Sequence, residues 1–182
     1  MPKTTATPPP AAVAKDAHWA AKLERLRSRK PATSTLTICD DHTVRQTLAE
    51  AQERHTRART IADAHPDEPV HAAALKAAED ALAQAQAAFD AEAIVLTFRA
   101  LPRTEFEEMK AAHPPTEEQA EDGQIVNVET LGPELIAAAC VDGLTVDDAR
   151  FFLTDWAAGE AAQLFHAAWD IQTVVRGDLG KG

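Results

Sequence analysis

The first helical pattern of the chain lies in a basic segment. Between Lys15 and Lys30, apolar residues recur at i, i+4 and i+7 (Trp19, Leu23 and Leu26), which is the spacing of one helix face. Pro31 ends this predicted helix because proline has no amide hydrogen to donate. Residues 1–14 before it are rich in Thr, Pro and Ala, and we expect them to be disordered.

A short stretch of alternating pattern follows the proline. Leu36 and Ile38 are separated by threonines within residues 33–39, which predicts a short strand or extended segment. We therefore group residues 15–40 as a basic helix followed by this segment. Either Asp40 or Asp41 is suited to cap the next helix.

Two Ala-rich helical patterns come next and are joined by a short turn that contains prolines. The first ends near Ala64 and carries one apolar stripe, consisting of Val44, Leu48, Ala51, His55, Ala58 and Ala62. The second runs from about Val70 to Ala93, with apolar residues at heptad spacing at positions 75, 82 and 89. Residues 41–93 are thus predicted to form an antiparallel hairpin or coiled-coil arm. It offers little apolar area to bury, so we expect it to be only marginally stable alone.

The bulky apolar residues are concentrated in residues 94–175, which predicts a small folded domain. A β-prone run at residues 94–101 predicts one strand. Residues 116–124 are expected to be an exposed turn or loop, and residues 176–182 a flexible tail. The predicted helices of this domain are Thr104 to Ala112, Leu131 to Val141 with Thr130 as its cap, Val146 to Trp156 with Thr145 as its cap, and a last one between a break at Gly159 and Ile171. The predicted fold class is mainly α, a helical hairpin or coiled-coil arm plus a small C-terminal helical domain with one or two short strands.

Composition supports this division of the chain. The 45% of hydrophobic residues among 182 include 39 alanines, whereas seven of the nine aromatic residues lie between Phe98 and Trp169. The net charge of −11 divides into +5 over residues 1–30, −6 over residues 31–92 and −10 over residues 93–182. An acidic chain is not an ordinary nucleic-acid binder, and no apolar run of 18 residues predicts a transmembrane helix. The prolines at positions 8–10 also interrupt any apolar region of a secretory signal peptide.

No motif for catalysis is evident. The chain has no phosphate-binding glycine loop, no paired-histidine zinc motif and only two serines, Ser28 and Ser34. Cys39 and Cys140 are far apart in sequence, and neither has a Cys or His at metal-ligand spacing. A disulfide between them remains an alternative, although a reduced cytoplasmic protein fits better. We expect no enzyme activity, no catalytic residue, no cofactor and no metal.

A series of short pieces in the C-terminal half resembles a known family. These pieces are residues 95–103 (VLTFRALPR), 113–116 (HPPT), 127–138 (NVETLGPELIAA), 145–149 (TVDDA) and 158–165 (AGEAAQLF). Their order is similar to that in the tail assembly chaperones of long-tailed, siphovirus-type actinobacteriophages. The N-terminal half carries no such resemblance.

The resemblance implies a role in building the phage tail. Such chaperones bind the tape measure protein, keep its apolar helices soluble and help to recruit tail tube subunits. They are small, mainly helical, tend to self-associate and are not enzymes. They act in the host cytoplasm and are absent from the mature virion, and a programmed frameshift often extends a fraction of the product. We expect neither a membrane nor nucleic acid as a partner.

Aromatic side chains are the candidates for contact with such a client. Of two adjacent phenylalanines, Phe151 is expected to be more exposed than Phe152, which can join the stripe that ends at Trp156. The alternative is that all of these aromatic residues belong to the core. The candidate partner-binding residues are Phe98, Phe106, Phe151, Trp156, Phe165 and Trp169.

Two other functions remain open at the level of sequence. The chain could be a structural virion protein or a head–tail adaptor, in which case the mature particle contains it. It could also be a small regulatory protein that uses the basic segment Lys15–Lys30 on nucleic acid, with binding that falls steeply with salt.

Overall fold

The chain is divided into two units, residues 1–32 and residues 33–182. A computed structural model describes residues 10–177 of it, and side-chain surroundings from residue 18 onward. In the first unit, helix α1 spans Pro10–Arg27 and closes with the Ser28 amide donating to the Glu24 carbonyl over 2.9 Å. The helix begins before the predicted Lys15, since proline is tolerated in a first turn and alanine favours helix. The disorder expected for residues 1–9 lies outside the described residues.

The second unit is built on a two-stranded antiparallel sheet. Strand β1 spans Thr33–Ile38 and β2 spans Ile94–Arg99. The register places Thr33 opposite Arg99 and Ile38 opposite Ile94. The sequence grouped β1 with the basic helix and apart from residues 94–175. The structure corrects that grouping, because the backbone hydrogen bonds of β1 are made to β2.

The predicted arm connects the two strands. Helix α2 spans His42–Ala64 and α3 spans Pro69–Glu92. The Asp41 carboxylate caps α2 by accepting from the amides of Thr43 and Val44, at 2.7 and 3.0 Å. All six residues of the predicted α2 stripe are buried or half-buried, which confirms the predicted helix face.

The packing of the arm is concentrated near the sheet. Leu48, Ala51 and Ala85 are buried together, and Leu82 and Phe89 pack against them. Because Leu48 lies near the start of α2 and Phe89 near the end of α3, the helices run antiparallel. No residue between positions 52 and 84 is buried, so the distal half of the arm has no core of its own.

Three of the remaining helices pack around a fourth, which is buried. The remaining helices are α4 (Arg103–Ala112), α5 (Glu117–Glu121), α6 (Val128–Ala139), α7 (Val146–Asp155) and α8 (Ala158–Asp170), followed by a 3₁₀ turn at Ile171–Thr173. Helix α6 contacts α4, α7, α8 and β2. The largest fully buried side chains are Phe98, Leu131, Leu135, Ile136 and Leu164, three of which belong to α6.

Three local predictions are corrected. Residues 117–121 form a short helix rather than a loop, because Thr116 and Gln119 form a capping box. The cap of α6 is Asn127 and not the predicted Thr130, since the side-chain oxygen of Asn127 accepts from the amides of Glu129 and Thr130. Gly159 lies inside α8. The break falls before Ala158, at the extended backbone of Trp156 and Ala157.

Over residues 10–177, the fold class is confirmed as mainly α with two short strands. Cys39 and Cys140 are both buried free thiols. Within residues 10–177, no helix is both long and apolar enough to cross a membrane.

Candidate functional site: an apolar groove at the base of the arm

One face of the sheet is only half covered. Directly opposed residues of antiparallel strands share a face, so one face carries the pairs Ser34–Phe98, Leu36–Leu96 and Ile38–Ile94. Helix α8 covers the first pair, and the Ser34 hydroxyl donates to the Ala167 carbonyl over 3.1 Å. The other two pairs line an open groove of about 760 Å³.

Side chains from the arm and from α7 form the walls of this groove. Phe89 belongs to the arm core and also faces the groove. Phe152 of α7 and Trp156, which directly follows α7, lie on another side. Leu144 completes the apolar lining. It follows Gly143, whose φ of +90° is a backbone conformation that glycine adopts without strain.

The end of α7 holds two aromatic side chains in a fixed arrangement, Phe152 in the helix and Trp156 at its C-cap position. The rings of Phe152 and Trp156 are stacked with centroids 4.6 Å apart, and the Trp156 amide donates to the Phe152 carbonyl over 3.1 Å. At the other end of α7, Thr145 and Asp148 form a capping box. The Thr145 hydroxyl and amide donate to the Asp148 carboxylate, and these hydrogen bonds lower the pKa of Asp148 from its ordinary value of 3.8.

Polar side chains lie among the lining residues of the groove. Asp40 and Glu160 contribute two carboxylates, Arg45 one guanidinium and Gln163 one amide. The remaining lining is mostly aliphatic and aromatic. This combination suits an apolar ligand with polar edges, as in peptide-binding grooves that accept amphipathic helices.

Exposed apolar area extends into and beside the groove. Ile94, at its lining, is 59% exposed, and Phe151, whose ring lies 5.8 Å from that of Phe152, is 57% exposed. Large side chains that stay exposed beside an apolar groove are typical of an interaction surface.

The six candidate partner-binding residues fall into three groups in the structure. Phe98 and Phe106 are buried, so in this conformation they are core residues rather than contact residues. Trp156 lies in the groove and Phe151 beside it, and Phe151 is more exposed than the half-buried Phe152, as expected.

The last two candidates, Phe165 and Trp169, form a separate half-buried cluster on α8. Their rings are stacked at 5.7 Å, and Trp169 meets the ring of Phe106 edge-on at 5.5 Å. Phe165 also lies close to Gly132 of α6. These contacts give both residues a packing role away from the groove.

The sequence missed most of the lining. Leu36, Ile38 and Ile94 become neighbours only through the pairing of β1 with β2, which are separated in sequence by the whole arm. The available signal was the pair of short β-prone runs that flank the arm, because strands at the two ends of a helical hairpin are brought close together.

Comparison with known proteins gives no relative for this chain. No family model, no curated protein and no solved structure matches it.

Proposed function

We propose that this protein is a tail assembly chaperone of a long-tailed phage, which binds an apolar helical segment of the tape measure protein in the groove. In this proposal it acts by contact rather than catalysis, in the host cytoplasm. It keeps the client soluble while tail tube subunits are recruited, and it leaves before the virion is complete. The observation that supports the proposal most is the open apolar groove.

The chemistry of the groove suits a helical client better than a fully enclosed small molecule. One side of the groove consists of residues of the sheet, and its walls come from the arm and from α7. An amphipathic helix places apolar side chains at i, i+3, i+4 and i+7 on one face, and such a face can cover the exposed Ile94 together with Trp156. The acidic and basic side chains among the lining can then contact the polar flanks of the same helix.

The resemblance of the C-terminal half supplies the identity of the client. Three of the resembling pieces contribute to the groove. Residues 95–103 and 158–165 supply the lining residues Leu96, Glu160 and Gln163. Residues 145–149 contain the cap of α7, the helix that positions Trp156. The resembling pieces therefore contribute to one side of the groove, and the other side consists of residues 36–45 and Phe89, which lie outside the resemblance.

Co-expression with the tape measure protein from the same genome tests this function. We expect the wild-type chain to keep that protein in the soluble fraction and to co-purify with it. The variant Ile94→Asp places a charge in the groove and should abolish both effects, because burying an unpaired carboxylate against an apolar helix is costly.

A matched control is provided by the next residue of the same strand. Val95 is 50% exposed, and consecutive strand residues point to opposite faces, so Val95→Asp adds the same charge outside the groove. It should solubilise the client as well as the wild type. A client that is equally insoluble with and without the wild-type chain would overturn the proposal, and so would equal loss in both variants when both remain folded. Stoichiometric presence in purified virions would favour a structural virion protein instead.

A further inference from the structure

The tip of the arm brings two imidazoles and one carboxylate together. His65 follows α2, Glu68 directly precedes α3 and His71 lies in the first turn of α3. Their ligand atoms all lie within 4.8 Å of one another. None of these residues contributes to the groove, which is at the opposite end of the arm.

The backbone of the tip fixes this arrangement. The Glu68 amide donates to the His65 carbonyl over 3.2 Å, and the His71 amide donates to the Glu68 carbonyl over 3.1 Å. Pro66 and Pro69 each fix one backbone angle in the same turn. The three side chains are therefore displayed at intervals of three residues on a restricted backbone.

Each imidazole meets a different oxygen of Glu68, at a distance close to that between two ligands of one tetrahedral metal ion. His65 Nδ1 lies 3.4 Å from Glu68 Oε1, and His71 Nε2 lies 3.1 Å from Glu68 Oε2. Nitrogen and oxygen ligands about 2.1 Å from a tetrahedral zinc ion are about 3.4 Å apart. Both imidazole rings contact the same carboxylate, and their centroids are 5.2 Å apart.

We propose that His65, Glu68 and His71 bind one divalent transition-metal ion of the zinc class at the tip of the arm. Two histidines and one carboxylate form a donor set that zinc uses with a water as fourth ligand. His65 and Glu68 are exposed and His71 is half-buried, so solvent supplies that water directly. The same exposure predicts a weaker affinity than that of a closed four-ligand structural site.

The site has a structural consequence for the arm. No residue between positions 52 and 84 is buried, so the distal half of the arm depends on little apolar packing. A metal ion held by the end of α2 and the start of α3 joins the two helices where that packing is weakest. Binding that occurs only in the folded hairpin must stabilise the hairpin.

A metal titration of the untagged full-length protein tests the proposal. Isothermal titration with Zn²⁺ should give one site per chain, and Co²⁺ should give the visible absorption of a tetrahedral nitrogen and oxygen site. His71→Ala and Glu68→Gln should each weaken Zn²⁺ binding by about tenfold or more, as expected when a ligand is lost. Circular dichroism establishes that both variants keep their helices.

The matched control is His166→Ala on α8. His166 Nδ1 lies 3.7 Å from an Asp170 carboxylate oxygen. The substitution therefore removes a histidine–carboxylate pair that lacks a third ligand. Zn²⁺ affinity should be unchanged in this variant. Zn²⁺ should also slow hydrogen exchange in residues 52–84 of the wild type but not of His71→Ala. Absence of a one-to-one site in the wild type, or equal affinity in the wild type and both tip variants, would overturn the proposal.

Discussion

Gly132 lies where the buried helix α6 meets α7 and α8. A Cβ at this position would come within 3.2 Å of Leu153 Cδ1 and 3.5 Å of Phe165 Cδ2. The close approach of these helices therefore depends on the absence of a side chain at one residue.

Replacing this glycine tests how closely the helices are packed. We expect Gly132→Val to lower the free energy of unfolding by about 1–3 kcal/mol, the usual cost of overpacking a core, as measured by urea denaturation. Gly159→Val is the control, because a Cβ at Gly159 in α8 meets no atom within 4 Å, and it should change stability by less than about 0.5 kcal/mol. Equal effects of the two substitutions would contradict the described packing of α6.

The cap of α7 gives a prediction about pH. Because hydrogen bonds from Thr145 lower the pKa of Asp148 below 3.8, the unfolded chain binds this proton more readily than the folded one. The contribution of Asp148 to stability is then fully present above about pH 4 and is lost as the pH falls through the lowered pKa.

Removing the hydroxyl of the cap should change the titration of the carboxylate. In Thr145→Val, we expect the pKa of Asp148 to rise towards 3.8 in an NMR titration of its side-chain carboxyl carbon. The pKa of a solvent-exposed aspartate without such a cap provides the reference within the same spectrum. An unchanged pKa of Asp148 would show that the Thr145 hydroxyl does not stabilise the charged form.

At the scale of secondary-structure elements, the two halves of the arm differ in how much apolar packing they bury. The buried residues of the arm, Leu48, Ala51 and Ala85, lie in the half that adjoins the sheet. Helix pairs with little buried apolar area open readily. We therefore expect residues 52–84 to exchange amide hydrogens faster than the buried helix α6 in metal-free protein.

Truncation of the main aliphatic residue of the arm core should open the arm selectively. Leu48→Ala should destabilise the hairpin by at least about 2 kcal/mol, the lower end for truncating a buried leucine. Hydrogen exchange should therefore accelerate throughout residues 42–92, while α6 stays protected. Val70→Ala, at an exposed position of α3, should leave the exchange unchanged. Acceleration in α6 to the same degree would mean that the arm and the domain unfold together.

Helix periodicity is a local signal, and this explains which elements could be predicted from the sequence. The bounds of α2 and α3 were predicted within about two residues, and the capping box at Thr145 was recognised from its spacing. The cap of α6 was misplaced by three residues because Asn127 and Thr130 are both good capping residues. The structure gives Thr130 another role, since its hydroxyl lies 2.9 Å from the His113 ring nitrogen Nδ1.

Contacts between distant segments could not be predicted in this way. The pairing of β1 with β2 depends on the arm that folds between them, and six-residue strands carry little information about their partners. For the same reason Leu36 and Ile94 were not recognised as neighbours, and the groove was missed although Trp156 was selected. The cluster at the tip was missed because His65 belonged to a predicted proline-containing turn and His71 to the start of the predicted second helix.

At the scale of the whole molecule, the groove is the place where the arm, the sheet and α7 meet. Trp156 is the largest aromatic side chain of its lining, and buried tryptophans are frequent centres of binding energy. Trp156→Ala should weaken binding of an apolar tape measure segment by about 2 kcal/mol, which is about thirtyfold in the dissociation constant. Fluorescence anisotropy of a labelled segment measures this change.

A second tryptophan supplies the control for that measurement. Trp19 is exposed and belongs to α1 of the first unit. Trp19→Ala should leave the affinity within about twofold of the wild type. An equal loss in both variants would indicate binding through general apolar contact rather than through the groove.

Hydrogen exchange of the protein with and without the apolar segment of the tape measure protein tests whether the client binds in the groove. We expect new protection in three separated stretches that line the groove, residues 36–39, 94–96 and 152–156, with no change at the tip of the arm. A complex that forms while these stretches exchange as fast as in the free protein would contradict binding in the groove.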